Sequence, residues 1–391
     1  MTRSESSNGT LPRASGLQQL RSYNRQVILQ ALRQGGSLSR AELARASGLT
    51  PQAIANIVDQ LIQLGFVREA GRRKAQRGQP PIEIEIATDG AYGIGLRADS
   101  KRYSVATMDL GGSVRQQEGG LTPDNIDKRG LVTFFSDLIS KMPLDLDRCL
   151  GIGLVVPGPF DAHWPNVPSP GALAAFQRKR FVRSIGYRTG LDIFLENDAT
   201  AAALGEKLQG VARDLKHYFY VFVGEGVGGG LVLNGEPYRG DSGNAGEFGH
   251  LVVDPNGPPC YCGNRGCLGQ YLSLGSLTRF LATARKGRSA QSLQNVRRGM
   301  TRTWLDRAAA ALSIALVGIE NLFDPETVIL GGSAPIEILN GLFGRLADLR
   351  PSIRFGRPGQ RIRVSSLREQ SAAVGAAALP IFAATNPSRF Y

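Results

Sequence analysis

Two residue types that often carry chemistry are scarce in this chain. Among 391 residues there are only 4 Cys and 3 His. Three of the cysteines, Cys260, Cys262 and Cys267, crowd into one short segment. Bridges between such close neighbours are geometrically awkward, so the spacing speaks for a metal rather than a disulfide framework. Long apolar runs are also missing. None reaches the roughly 18 residues that span a bilayer, so no membrane insertion is expected. The first residues, MTRSESSNGT, lack the apolar segment of a secretory signal. A cytoplasmic location is the expectation.

What is there suits a soluble protein of two or three domains, with 42% hydrophobic residues. The 49 glycines fall between apolar stretches, as in an α/β protein with tight ligand loops. The charge is uneven. Residues 1–81 hold 12 Lys and Arg against 4 Asp and Glu, which is +8 of the chain's +13. A basic head replaces the counterions on nucleic-acid phosphate, although a solvated surface has the same composition.

Residues 1–16 are polar and Ser-rich, and are read as a disordered tail. In the next segment Tyr23, Val27, Ile28, Ala31 and Leu32 recur at helical spacing until Gly35-Gly36. Ser39 then caps a second helix, with Glu42 completing a capping box and Gly48 ending it. Thr50 caps a third, with Pro51 at its first position, running to Gly65. Its apolar stripe is Ile54, Ile57, Val58, Leu61 and Ile62. Two short helices joined by a Gly-containing turn form a helix-turn-helix. The residues expected at DNA are Arg40, Thr50, Gln52, Ala53 and Asn56. Gln and Asn pair bidentately with adenine. The segment after it reads as strand, basic loop, strand. Arg72, Arg73, Lys74 and Arg77 lie on the loop, and IEIEI is a half-buried strand. The order of helices, caps, turn and hairpin predicts a winged helix-turn-helix on double-stranded DNA.

From Tyr92 the texture changes to strands alternating with glycine turns and helices, which predicts an α/β domain. His250, Cys260, Cys262 and Cys267 offer three thiolates and one imidazole, a closed tetrahedral shell for structural zinc. Gly263 and Gly266 let that loop turn tightly. The alternative is a reduced cysteine cluster beside a core histidine. Cys149 reads as a small core residue, and His163 and His217 as surface or loop residues.

The stretches GIGLVVPGPFD, LENDATAAALGE, GVGGGLVLNGEPYRGDSGNAGEFGH, CYCGNRGCL, PETVILGG and AAVGAAAL occur in an order that resembles the ROK family of repressors and sugar kinases. The resemblance implies a two-lobed actin-like, ribonuclease-H-like fold. The expected division is a winged helix-turn-helix over 17–88 and the family domain over 89–391. Its first lobe would span about 89–198 plus the C-terminal helix, and its second about 199–370. The resemblance also implies that Asn197, Asp198, Glu247 and His250 bind a sugar or sugar derivative. Asp198 alternatively reads as the N-cap of the helix it opens.

Three departures from the family matter. Arg97 stands where family kinases carry the Asp of their first phosphate turn, and Asp99 where they carry a Gly. Glu225 replaces the Thr of a second Gly-Thr-Gly turn, which sets a carboxylate against phosphate. Gly269, followed by Gln270, replaces a sugar-binding Glu. The reading is therefore a DNA-binding regulator of carbohydrate genes that responds to a sugar. It holds structural zinc and binds no ATP. It forms a homodimer or homotetramer to match a symmetric operator. The alternatives are a sugar kinase with a DNA-binding head, and a constitutive DNA binder on a dimerisation scaffold.

Overall fold

Side-chain caps start the two short helices of the head. In the computed structural model these are α2 (Arg40–Ser47) and α3 (Pro51–Gln63), after α1 (Tyr23–Gly35). The Ser39 hydroxyl accepts from the Glu42 N–H while the Glu42 carboxylate accepts from the Ser39 N–H at 2.8 Å. Thr50 Oγ1 accepts from the Ala53 N–H at 3.3 Å. Each such cap stabilises its helix by about 1 kcal/mol. The structure describes residues 23–72, 81–98, 102–123, 128–142, 145–156, 178–283, 290–346, 349–354, 356 and 358–386. The polar tail 1–16, the loop cations Arg73, Lys74 and Arg77, and also Asp99 and His163 lie outside them.

Ile54, Val58 and Leu61 of α3 are fully buried against Ile28, Leu29 and Leu32 of α1 and Leu43 of α2. Burying each such side chain is worth about 1.5–3 kcal/mol. Tyr23, which falls on the same helical spacing, is exposed at the start of α1, and Leu29 takes a core place instead. A three-stranded antiparallel sheet completes the head. Strand β1 (Leu38–Ser39) pairs with β3 (Ile82–Ile86), which pairs with β2 (Val67–Arg72). The register of β2 shifts between Glu69 and Gly71, and Gly71 takes φ +113°, a conformation a side chain would strain.

Two five-stranded sheets follow, each with its first strand central. The first runs β6-β5-β4-β7-β8, from β4 (Tyr92–Ala98), β5 (Arg102–Asp109), β6 (Val114–Leu121), β7 (Cys149–Val156) and β8 (Ile193–Asn197). The second runs β11-β10-β9-β12-β13, from β9 (Tyr218–Val223), β10 (Val227–Leu233), β11 (Glu236–Pro237), β12 (Thr327–Gly331) and β13 (Ile362–Val364). In both, the first three strands are an antiparallel meander and the last two add in parallel beyond the first. This repeated order is the two-lobed α/β architecture. Helices α4 (Lys128–Ser140) and α5 (Arg178–Thr189) accompany the first sheet. Helices α7 (Gly269–Leu272), α8 (Leu274–Ala282), α9 (Ala290–Phe323) and α10 (Ile336–Arg345) accompany the second.

Between the sheets lie α6 (Asp198–Gln209) and the last helix, α11 (Ser371–Thr385). Helix α11 is apolar on nearly every face and almost wholly buried, as a helix enclosed on all sides must be. It approaches β4 so closely that a Cβ on Gly95 would collide with the Ala373 carbonyl. Its far end meets the head. Gln26 Nε2 donates to the Ala383 carbonyl at 2.9 Å, and Arg33 Nη1 donates to Thr385 Oγ1 at 2.8 Å. The Arg33 guanidinium also sits 4.7 Å from the centroid of the Phe382 ring. Head, α11 and part of the first sheet share one hydrophobic cluster.

Candidate functional site

The exposed side of α3 is the candidate DNA face. Gln52 and Asn56 are exposed one helical turn apart, with Gln52 Nε2 donating to Asn56 Oδ1 at 3.2 Å. Ala53 between them is half-buried, and the Thr50 side chain serves the cap. Arg72 is exposed at the end of β2. Arg40 is already engaged, to Asp59 at 2.8 Å and Glu69 at 3.9 Å. These partners link α2, α3 and β2 across the face.

The candidate metal cluster is built from a loop that folds back on itself. The Cys260 N–H donates to the Asn264 carbonyl at 2.8 Å, and the Gly266 N–H to the Pro258 carbonyl at 2.8 Å. Gly266, at φ +66°, lies so close to the Asp254 carbonyl that a side chain there would collide with it. The turn brings the four donor atoms of His250, Cys260, Cys262 and Cys267 within 4.8 Å of one another. Cys260 Sγ lies 3.6 Å from His250 Nδ1, and Cys262 Sγ lies 3.5 Å from Cys267 Sγ. Tetrahedral zinc, with Zn–S about 2.3 Å and Zn–N about 2.0 Å, needs donors about 3.5–3.8 Å apart. The donor set fits such an ion, and the Cys260–His250 and Cys262–Cys267 distances match that spacing. Burial holds the His250 imidazole below the ordinary histidine range, which keeps it the neutral ligand a metal requires. Cys149, by contrast, is buried in the first-sheet core with its thiol pushed up to about 12 by burial.

The candidate ligand residues are all half-buried and lie on connected backbone. Asn197 ends β8 and Asp198 opens α6. The N-cap is Asn197, not Asp198. Asn197 Oδ1 accepts from the Ala199 N–H at 2.8 Å and the Thr200 N–H at 3.4 Å. Asp198 is already the first helical residue, because the extended backbone of β8 ends at Asn197. That leaves the Asn197 side-chain amide N–H groups for a ligand. A Cβ on Gly228 of β10 would lie 3.7 Å from Asp198 Oδ1. The neighbouring Gly229 N–H donates to the Gly246 carbonyl at 2.7 Å. Strand β10 thus sets the turn Glu247–His250 beside the start of α6. Phe248 anchors that turn by packing edge-on to Phe219, ring centroids 5.0 Å apart.

Three residues at this site went unread in the sequence. Arg239 donates to Glu196 Oε2 through Nε at 2.9 Å and Nη2 at 2.6 Å. Glu196 Oε1 accepts from the Asn197 N–H at 3.0 Å. Tyr261, between two of the cysteines, places its hydroxyl 2.9 Å from His250 Nε2. Burial, with the charge of Glu247 adding to it, pushes that hydroxyl up to about 12, so it remains protonated. Only the arrangement E-N-D hinted at Glu196, and nothing local hinted at Arg239 or Tyr261.

On the phosphate side, Arg97 is only 8% exposed in β4, 5.9 Å from the centroid of the Phe222 ring. Glu225 is exposed at the tip of the β9–β10 turn, where the Gly224 N–H donates to the Gly226 carbonyl at 2.9 Å. Gly269 opens α7, and the adjacent Gln270 accepts from Arg279 Nη2 at 3.0 Å.

Residues 93–381 match the ROK family, and residues 21–68 match a winged helix-turn-helix DNA-binding family. The xylose repressor of Bacillus spizizenii is 30% identical over 326 residues, covering 80% of this chain and 83% of the relative. The DNA-binding transcriptional dual regulator NagC of Escherichia coli is 27% identical over 254 residues, covering 64% and 62%. A solved ROK family transcriptional regulator, a homologue of E. coli Mlc, superposes with a TM-score of 0.71 at 24% identity, over 94% of this chain and 98% of that one. The ROK hexokinase of Thermus thermophilus superposes with 0.58 at 28%, over 73% and 96%.

Proposed function

Because the chain belongs to the ROK family, we propose that it is a DNA-binding transcriptional repressor of carbohydrate genes, with a family domain that senses a sugar or sugar derivative. The observation that carries this is the winged helix-turn-helix, whose α1 is bonded into α11 at the centre of the sensing domain. The similar relatives named as xylose and N-acetylglucosamine repressors support it.

Gln52 and Asn56 read base edges, and Ala53 and Thr50 pack along the groove. Arg72, Arg73, Lys74 and Arg77 take phosphates, as does Arg40 once phosphate replaces Asp59 as its partner. Asn197, Asp198, Glu247 and His250 hold the sugar hydroxyls, with the carboxylates accepting and the amide and imidazole N–H groups donating. One zinc ion holds the loop that carries His250 through His250, Cys260, Cys262 and Cys267. The division at about residue 88, with lobes of about 89–198 plus the C-terminal helix and about 199–370, is part of the same reading, as is a homodimer or homotetramer. None of the helices among the described residues is long and apolar enough to cross a membrane.

The chain does not act as a kinase in this reading. Phosphoryl transfer rests on positioning and charge neutralisation. A cation at Arg97 and a carboxylate at Glu225 disrupt both phosphate turns. Asp198 keeps the kinase reading in play, since it stands where a family kinase carries its base. Electrophoretic shift on the protein's own upstream region, with and without D-xylose, D-glucose, N-acetyl-D-glucosamine and their phosphates, tests the proposal. A coupled assay for sugar-dependent ATP turnover tests the kinase reading. Sequence-specific binding that one sugar alters supports the regulator. Sugar-dependent ATP turnover abolished in Asp198→Asn would support the kinase.

A further inference from the structure

A histidine that binds metal through one nitrogen has a single N–H left on the other. His250 turns Nδ1 toward Cys260 Sγ, at 3.6 Å, so the remaining donor is Nε2. That donor is already taken. Tyr261 Oη lies 2.9 Å from it, and the phenol stands edge-on to the imidazole, with ring centroids 4.9 Å apart at 88°. The outer nitrogen of a metal-binding histidine is commonly held by a carboxylate, a backbone carbonyl or water. Here it meets a neutral hydroxyl on a side chain that is 41% exposed.

The loop around this tyrosine is held more firmly than its ring. Its neighbours Cys260 and Cys262 are both in the donor set, and the Gly263 N–H closes the turn onto the Cys260 carbonyl at 3.0 Å. The backbone at position 261 is therefore held from both sides. The hydroxyl can leave His250 only by rotation of the side chain outward. A sugar hydroxyl that takes the His250 N–H must compete for it, since one N–H serves one acceptor well.

We propose that Tyr261 is a specificity-determining residue of the ligand site, an internal stand-in whose hydroxyl fills the sugar-hydroxyl position on His250 until a ligand displaces it. This rests on the sugar-sensing reading. It identifies the kind of ligand that succeeds: one whose hydroxyl reaches Nε2 and whose ring leaves room for, or stacks on, the displaced phenol. A ligand lacking a hydroxyl there leaves Tyr261 in place and binds without engaging the metal loop. The binding-competent state is then only a fraction of the free protein, and the apparent affinity is lowered by that fraction.

The test compares the full zinc-loaded chain with its Tyr261→Phe variant, which keeps the ring and removes the hydroxyl. Equal metal content in the two shows that the loop is intact. Nitrogen-15 spectra of histidine-labelled protein, simple because the chain has 3 His, read the His250 Nε2–H directly. Titration calorimetry with D-xylose, D-glucose and N-acetyl-D-glucosamine reads affinity. The expected result is a shifted His250 Nε2 signal in the free variant. Binding by the variant should also be about two- to tenfold tighter, the worth of one ordinary hydrogen bond that no longer has to be displaced. Weaker or unchanged binding by the variant, with the wild type still binding, overturns the role of Tyr261 and leaves the sensor reading intact. No binding of any of these sugars by either protein counts against both. A wild-type Nε2 signal that equals the variant's overturns the free-state contact itself.

Discussion

The guanidinium of Arg239 grips a single oxygen of Glu196, with Nε at 2.9 Å and Nη2 at 2.6 Å. Glu196 is the penultimate residue of β8 in the first sheet, and Arg239 follows β11 in the second. The other Glu196 oxygen accepts the Asn197 N–H, and the Arg239 carbonyl accepts the Ala245 N–H at 3.0 Å. One ion pair thus connects the strand end that carries Asn197 and Asp198 to the loop that leads to Glu247 and His250. Arg239→Ala strands a carboxylate that is almost fully buried. Breaking a buried pair from one side costs about 3–5 kcal/mol. Urea unfolding of the variant should show a decrease of that order, with sugar affinity falling as well. Arg239→Lys, a point charge without the fork, should fall between wild type and alanine. Unchanged stability in Arg239→Ala would mean the pair is solvated in solution.

Removing the metal should disable sensing before it disables DNA binding. Metal analysis of the purified chain should find one zinc per protomer, and Cys267→Ser should fail to hold it. Chelated protein should keep sequence-specific DNA binding and stop responding to sugar. Acid should do the same. The ligands must be deprotonated, so metal affinity falls with falling pH. For the metal-free chain the sign is also set. The His250 pKa lies below its unfolded value of about 6.5, so its contribution to stability is present above about pH 6.5 and is lost as the pH falls below that. His250→Asn should flatten that part of the apo-protein pH–stability curve.

The two parts of the DNA face should separate in their salt dependence. Arg72→Ala with Arg73→Ala and Lys74→Ala should weaken binding to all DNA. The salt slope should fall by up to about one for each phosphate that the variant no longer neutralises. Gln52→Ala or Asn56→Ala should cost about 1–3 kcal/mol on the specific site only and relax base preference there. Binding isotherms on specific and random duplexes at several salt concentrations distinguish these outcomes. A salt slope unmoved by the triple change would show that the hairpin does not touch phosphate.

The packing of α1 on α11 should carry the coupling between sugar and DNA. Thr385→Val removes the acceptor of Arg33 Nη1, and Phe382→Ala removes the ring under the same guanidinium. Both should leave the head folded, because Ile28, Leu43, Ile54 and Leu61, its part of the shared cluster, are untouched by either change. DNA affinity without sugar should change little, while the ratio of affinities with and without sugar shrinks. Coupling between sites typically amounts to about 1–3 kcal/mol, which is the range these variants should erode. A full response in the double variant would place the coupling elsewhere.

Much of this molecule was determined by neighbours along the chain. The Ser39–Glu42 capping box, the Thr50 cap and the glycine stops at Gly36 and Gly48 involve only a few residues each, so they could be read from the sequence and the structure has them. The same holds for the convergence of the four candidate metal donors. Three cysteines within one tight loop converge wherever the rest of the chain goes, and the loop needs Gly266 because the Asp254 carbonyl fills the space of a side chain. Most strands of both sheets were legible as apolar runs between glycines, apart from those without a signal. Strand β6 is an exposed polar edge and β13 only three residues long, so neither shows a period.

Tertiary structure decided whatever depends on partners far apart in sequence. Tyr23 shares the spacing of the α1 core residues, yet it stays exposed and Leu29 is buried in its stead. Asn197 rather than Asp198 became the cap because pairing of β8 with β7 holds the backbone extended through that residue. Arg239 met Glu196 only when the two sheets closed on each other, and α11 met α1 only when the end of the chain returned to its beginning. Caps and metal loops are short-range and cost little chain entropy to form. An inter-lobe ion pair closes a loop of many residues, and only burial of the whole core supplies the free energy that holds it.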